Sequence, residues 1–231
     1  MYKIGIYILQ LGVFVASFFN EKARKLRAGQ SEAFAVLKQK VDVNKSYVWF
    51  HAASLGEFEQ GRPVMEQLKK EKPETKILLT FFSPSGYEIR KNYAGADVIC
   101  YLPLDSAPNV RRFLNSVKIS KAVFIKYEFW PNYIKALKAN KIPFYSISAI
   151  FRPNQIFFKG YGSWYRNLLK CFNHIFVQDE SSLKLLAKFG FSNATVAGDT
   201  RFDRVADLVK QAKTIPLVEA FIKGADKVIV A

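Results

Sequence analysis

From residue 47 onward, short runs rich in β-branched and aromatic residues alternate with segments of helical period, and no other feature of the chain constrains its fold as much. The runs are Tyr47 to His51, Lys76 to Phe82, Asp97 to Leu102, Ala122 to Tyr127, Pro143 to Ser148, His174 to Gln178 and Ala194 to Ala197. Most are continuously apolar, the pattern of strands covered on both faces, and strands separated by helices pair in parallel. Between them, Val110, Phe113, Leu114 and Val117 make one helical stripe, and Phe202, Val205, Leu208 and Val209 another. Pro131 stands where a first helical turn accepts it, and Gly190 where a helix stops. The expected class is α/β, a Rossmann-like parallel sheet flanked by helices. With half of its 231 residues apolar, 21 Phe and 11 Tyr among them, the chain has enough material for one large core.

Both ends depart from this pattern. Ile4 to Phe19 is apolar except for Gln10 and Ser17, and as a helix it measures about 24 Å against a hydrocarbon core of about 30 Å. Lys22, Arg24, Lys25 and Arg27 follow it, while Lys3 is the only basic side chain ahead of it, so the positive-inside bias keeps the rest of the chain in the cytoplasm. A cleaved signal peptide would carry its charge on the other side; the reading is a retained anchor, either a short span or an interfacial helix. At the far end, residues 206 to 225 read as polar helix, and Lys227 to Ala231 starts a fresh apolar strand, the expected beginning of a further domain. The organisation expected is an anchor helix with a basic flank over 1–28, a Rossmann-like domain over 29–205, and a linker plus first strand over 206–231.

The charge balance, 35 basic against 19 acidic side chains for a net +16, favours phosphate-rich partners: nucleic acid, anionic lipid or a phosphorylated glycolipid. Cys100 and Cys171, far apart and each beside an apolar run, read as buried reduced thiols. With only His51 and His174, and no HExxH or CxxC, no metal site is expected. His51 reads as a strand-end residue with local hydrogen bonds. Gly56 and Gly61 imitate the spacing of a phosphate-binding loop, but Arg62 and Pro63 stand where Lys and Ser or Thr are needed. A GxSxG nucleophile elbow is also missing.

The candidate chemistry lies at strand ends, where open parallel sheets bind ligands. In HAASLGEFEQG (51–61), Ala52, Ala53, Ser54 and Gly56 leave the backbone open to a ligand, and Glu57 falls at a helix start. It either complements the helix dipole, worth about 0.3–1 kcal/mol, or serves as an acid–base group. Ser83-Pro84-Ser85-Gly86 ends the next strand and is either an anion-binding helix start or an ordinary cap. Glu128, in Tyr127-Glu128-Phe129-Trp130-Pro131-Asn132, would share a rim with Glu57. Residues 151–170 interleave Phe157, Phe158, Tyr161, Trp164 and Tyr165 with Arg152, Lys159, Arg166 and Lys170; this mix suits a membrane interface, single-stranded nucleic acid or a partly buried connecting helix.

Five strings, HAASLGE at 51–57, TFFSPSG at 80–86, LPLD at 102–105, EFWPN at 128–132 and GDTRFDR at 198–204, resemble in order and spacing the bacterial Kdo (3-deoxy-D-manno-octulosonic acid) transferases. The resemblance covers essentially the whole chain. It implies the N-terminal, acceptor-binding half of a GT-B fold, an enzyme on the cytoplasmic face of the inner membrane, CMP-Kdo as donor held mainly by a C-terminal domain, and a lipid A precursor as acceptor. It implies that Glu57 is the general base of an inverting transfer and Glu128 a second active-site carboxylate. Ser54, Gly56, Ser83, Ser85, Gly86 and Trp130 would line the acceptor cleft, with no cofactor, no metal and no nucleic acid. Where many of the family read Asn-Ala-Arg, this chain reads Ser148-Ala149-Ile150, with Arg152 two residues on as the stand-in for that arginine. A polypeptide lacking most donor contacts is expected to be inactive alone. The competing readings are a GT-B glycosyltransferase with another nucleotide sugar and a basic membrane-associated module for nucleic acid or anionic lipid.

Overall fold

The computed structural model describes residues 2–210, 215–224 and 227–228. It forms two compact units, Met1–Thr200 and Arg201–Ala231. In the larger, seven strands, β1 (Ser46–Ala52), β2 (Lys76–Phe81), β3 (Val98–Tyr101), β4 (Lys118–Ile125), β5 (Phe144–Ala149), β6 (His174–Val177) and β7 (Ala194–Val196), pair in parallel in the order β3-β2-β1-β4-β5-β6-β7. The chain winds outward from β1 to β3, then returns to β1 and winds the other way. This reversal opens a crevice between the carboxyl ends of β1 and β4.

All seven expected strands are present, and each helix between them covers one face. On β1, Tyr47 and Trp49 face one layer while Val48, Phe50 and Ala52 face the other. The first layer is covered by α5 (Ala107–Ser116) through Val110 and Phe113, and by α6 (Pro131–Ala139) through Tyr133, Ile134 and Leu137. The second is covered by α3 (Leu55–Glu71) through Phe58 and Met65. Trp49 centres the first layer, with ring centroids of Phe113, Phe124 and Tyr133 at 4.9, 5.2 and 5.4 Å. Gly61 of α3 lets that helix close on β4: a Cβ there would collide with the Ile125 side chain.

Strand β4 differs from the expected 122–127 at both ends. It starts at Lys118 because Ile119 is buried and Ser120 Oγ donates to the Tyr47 carbonyl at 3.0 Å, across a register shift between Tyr47 and Val48. It stops at Ile125 because Lys126 turns to φ +62°, the left-handed region. Pro131 opens α6, and Gly190, at φ +78°, follows α8 (Glu180–Lys188). Cys100 is buried as expected, but Cys171 is only half-buried, placed near the surface just after α7 (Ser163–Leu169).

Helix α1 (Tyr2–Ala16) precedes α2 (Glu21–Lys40), which packs beside it. Along α1 only Ile6 is buried, and Ile4, Tyr7, Ile8, Leu11 and Val15 are exposed. Among the described residues no helix is long and apolar enough to cross a membrane. The loop between β5 and α7 buries Phe157 and Phe158, exposes Tyr161, and uses Arg166 internally: its guanidinium donates to the carbonyls of Phe157 and Lys159 at 2.8 and 2.9 Å.

In the smaller unit the stripe at Phe202, Val205, Leu208 and Val209 falls on α9 (Thr200–Lys210), and α10 (Pro216–Ile222) follows. The strand expected at 227–231 lies outside the described residues apart from Lys227 and Val228.

Candidate active site

The loop closing β1 builds the first wall of the crevice. Ser54 is the N-cap residue of α3, but its hydroxyl makes no cap bond; Glu57, in the first turn, instead reaches back and accepts from the Ala53 N–H. Gly56 is exposed, and nothing lies within 4 Å of where a Cβ would be. The loop closing β2 is tied to the same wall, because the Ser83 N–H donates to the Ala53 carbonyl at 2.7 Å. Ser83 caps α4 (Pro84–Arg90) by accepting from the Ser85 N–H, and the two hydroxyls sit 3.0 Å apart. Gly86 is buried: a Cβ would strike the Phe81 ring and come within 3.1 Å of Ser54.

The segment after β4 builds the opposite wall. Glu128 Oε2 accepts from Trp130 Nε1 at 2.7 Å and lies 3.0 Å from His51 Nε2. Trp130 is the N-cap residue of α6 and packs on Phe82 at 5.0 Å. The start of α6 is fixed by Asp105, fully buried in the loop after β3, which accepts from the Asn132 and Tyr133 N–H groups at 3.0 Å and from the Tyr2 hydroxyl of α1 at 2.6 Å. Helix N-terminal donors favour that anion, yet burial outweighs them and pushes its carboxyl above the usual range. Beside Glu128 opens a cleft of about 1260 Å³ lined by Tyr127, Trp130, Trp164, Tyr165, Tyr2 and Lys135 among others.

The two glutamates are electrostatically coupled. Burial, and then the Glu128 charge, raise the Glu57 carboxyl from the usual 4.5 to about 7, against the opposing Ala53 N–H, His51 and Lys126. The Ala53 N–H and the helix start favour the anion, as for any first-turn glutamate, but at Glu57 burial and the Glu128 charge outweigh them. Arg152 lies farther round the rim, after β5. It is exposed, its backbone N–H bonds Gln155 Oε1 at 3.0 Å, and its charge reaches Tyr127, where it opposes the upward push of burial. Among the described residues no three His, Cys, Asp or Glu side chains come together as a metal ligand set.

The family model of 3-deoxy-D-manno-octulosonic-acid transferase matches residues 25–204, most of the chain. The chain belongs to the Kdo transferase family. It is 31% identical over 162 residues to the 3-deoxy-D-manno-octulosonic acid transferase of Haemophilus influenzae, covering 68% of this chain and 38% of the relative. To that of Aquifex aeolicus it is 30% identical over 180 residues, covering 77% and 45%. It thus spans less than half the length of the curated relatives it matches. Among solved structures, a UDP-N-acetylglucosamine 2-epimerase superposes with a TM-score of 0.54 at 14% identity, over 76% of this chain and 54% of that one. The epimerase of Neisseria meningitidis bound to UDP-GlcNAc superposes with a TM-score of 0.54 at 18% identity, over 77% and 53%. At such identities the likeness is one of fold, the Rossmann-like domain of a GT-B-like protein.

The five Kdo transferase strings begin at or just beyond carboxyl ends of strands: HAASLGE and TFFSPSG start on the last residues of β1 and β2, and the other three follow β3, β4 and β7. After β7, Asp199 and Thr200 bond to α3: Thr200 Oγ1 donates to the Gln60 carbonyl at 2.6 Å, and Gln60 Nε2 to Asp199 at 3.3 Å. Three residues of the site were given no part in it by the sequence reading. His51 bonds across 77 positions to Glu128 rather than locally; Thr80 stands behind it; Asp105 sits within a quoted string but was given no role. The period-2 register of β1, which puts His51 on the buried Trp49 face, was the available signal for the first.

Proposed function

We propose that this chain supplies the acceptor side and the general base of a Kdo transferase that moves Kdo from CMP-Kdo to a lipid A precursor, lipid IVA, in lipopolysaccharide inner-core synthesis at the cytoplasmic face of the inner membrane. The observation that carries the reading is Glu57, raised to about 7 at the crevice between β1 and β4 in a chain of this family. In the proposed step the Glu57 carboxylate takes the proton of an acceptor sugar hydroxyl. That oxygen bonds to the anomeric carbon of Kdo from the face opposite CMP, and the bond to the CMP phosphate oxygen breaks with its electron pair leaving on CMP. A base near 7 is half-available at neutral pH yet still holds the proton firmly enough to drive the transfer. Glu128, with its position fixed, orients the acceptor or the base. Ser54, Gly56, Ser83, Ser85 and Trp130 surround the acceptor hydroxyls, Gly86 lets the β2 loop close against Ser54, and Arg152 meets an acceptor anion. The exposed apolar side of α1 is proposed to lie in the membrane interface.

The test is a chimaera in which residues 1–205 replace the matching part of the Haemophilus influenzae relative, assayed with CMP-Kdo and tetraacylated lipid A precursor. Kdo incorporation is expected, with none from the 231-residue chain alone. An inactive but folded chimaera removes the assignment of substrates, and near-normal transfer by its Glu57→Gln variant removes Glu57 from the mechanism.

A further inference from the structure

His51 is fully buried at the end of β1, and its two ring nitrogens face different partners. Nε2 lies 3.0 Å from Glu128 Oε2 and 3.1 Å from Trp130 Nε1, whose shorter contact, 2.7 Å, is with that same glutamate oxygen. Nδ1 meets Thr80 twice, the hydroxyl at 2.9 Å and the carbonyl oxygen at 3.1 Å. Thr80 Oγ1 in turn accepts from Trp49 Nε1 at 2.7 Å and lies 3.4 Å from the Phe50 carbonyl.

We propose that His51 is the positioning residue of the site, a buried ring that, braced by Thr80 and Trp49, holds the Glu128 carboxylate in place beside Glu57. Thr80 presents Nδ1 with both a donor and an acceptor, which makes the brace work in two states. With the ring neutral, the Thr80 hydroxyl donates to Nδ1 and the ring proton sits on Nε2, facing Glu128. With the ring cationic, Nδ1–H donates to the Thr80 carbonyl, the hydroxyl turns to Phe50, and Nε2–H is unchanged. In the remaining tautomer Nε2 could accept from Trp130 Nε1, but the indole N–H would then leave Glu128 Oε2, and an Nε2 lone pair would face that carboxylate oxygen at 3.0 Å with no proton between them, so it is disfavoured. Nε2 therefore donates to Glu128 whatever the charge on the ring.

The consequence is read at Glu57. The charged groups that bear on it are Glu128, which raises its proton affinity, and His51 and Lys126, which lower it, with Tyr127 also coupled. The Glu128 effect is larger than that of His51, so releasing Glu128 by removing the ring lowers the affinity overall. If His51 acted only through its own charge, its removal would raise the affinity. The inference deepens the reading of Glu57 as base but concerns proton binding alone, so it is tested without donor or acceptor.

The experiment is a carboxyl ¹³C NMR titration of this chain labelled at glutamate, with Glu57 assigned by its loss in Glu57→Gln. The wild-type midpoint is expected at about 7. His51→Asn, which keeps an amide near Thr80 but none at Glu128, is expected to weaken proton binding about tenfold, a midpoint about one pH unit lower. Glu128→Gln is expected to lower it similarly, and the double variant no further. A His51→Asn midpoint that stays or rises, or two falls that add, overturns the proposal. Should His51→Asn not fold, the wild type decides by ring ¹⁵N shifts, which are simple to assign with two histidines. A proton on His51 Nε2 throughout about pH 5–8 supports the hold, and a bare Nε2 at the upper end of that range overturns it.

Discussion

The segment that closes β1 and the segment that closes β4 each put one glutamate on the same rim, and they hold it in opposite ways. Glu57 accepts a single backbone N–H, and burial together with the Glu128 charge outweighs that bond and the favourable charges of His51 and Lys126. Glu128 is gripped on one oxygen by two aromatic rings, Trp130 and His51, and behind its segment the start of α6 is locked by buried Asp105. One carboxylate is left ready to accept a proton and the other is fixed as part of the frame. The difference lies in the neighbours, since the two side chains are identical.

Exchanging the roles is the most direct way to break this contrast. In the chimaera, Glu57→Gln is expected to lower kcat/KM about 10²–10⁴-fold, the range for loss of a general base. Glu128→Gln should cost about ten times less and move the pH profile to lower values. Equal losses would mean that the carboxylates share one task.

The rigidity of the β4 side is tested at Asp105. Asp105→Ala leaves two helix N–H groups and the Tyr2 hydroxyl without their acceptor, and should destabilise the chain by about 3 kcal/mol in urea unfolding. A loss under about 1 kcal/mol would show that α6 is held by packing alone.

The unsettled charge of Glu57 has a signature in stability. Folding raises its proton affinity from 4.5 to about 7, so its favourable contribution is complete below about pH 4.5 and is lost as pH rises through about 7. Glu57→Gln should therefore stabilise the chain at pH 8 by about 1–2 kcal/mol, a figure discounted because water still reaches the carboxyl, with the gain vanishing toward pH 4. The smallest effects separate the two caps. Ser83→Ala should cost about 1 kcal/mol, whereas Ser54→Ala, which removes no cap bond, should cost a few tenths.

How far the sequence discloses these features follows from the range of the interactions. The strands were legible because burial on both faces writes a continuous apolar run into local sequence. The start of β4 was not, since Lys118, Ser120 and Lys121 point away from the core and only the pairing with β1 makes the segment a strand. Glu57 and Glu128 were visible as rim residues, because strand ends are local. Their coupling was not, nor was the hold of His51, whose partner lies 77 positions away. Gly86 was read as part of an anion-binding helix start or an ordinary cap; in the structure it is buried against Phe81 and Ser54, and small residues in a sequence do not disclose such a close approach.

Lys126 ends β4 in a left-handed bend that costs a side-chain-bearing residue about 1–2 kcal/mol and a glycine almost nothing. Lys126→Gly would therefore relax the bend, but it would also take away a positive charge that bears on the Glu57 carboxyl. The fold keeps a strained bend between the two walls of the crevice, and in return a cation bears on the carboxyl proposed to take the proton.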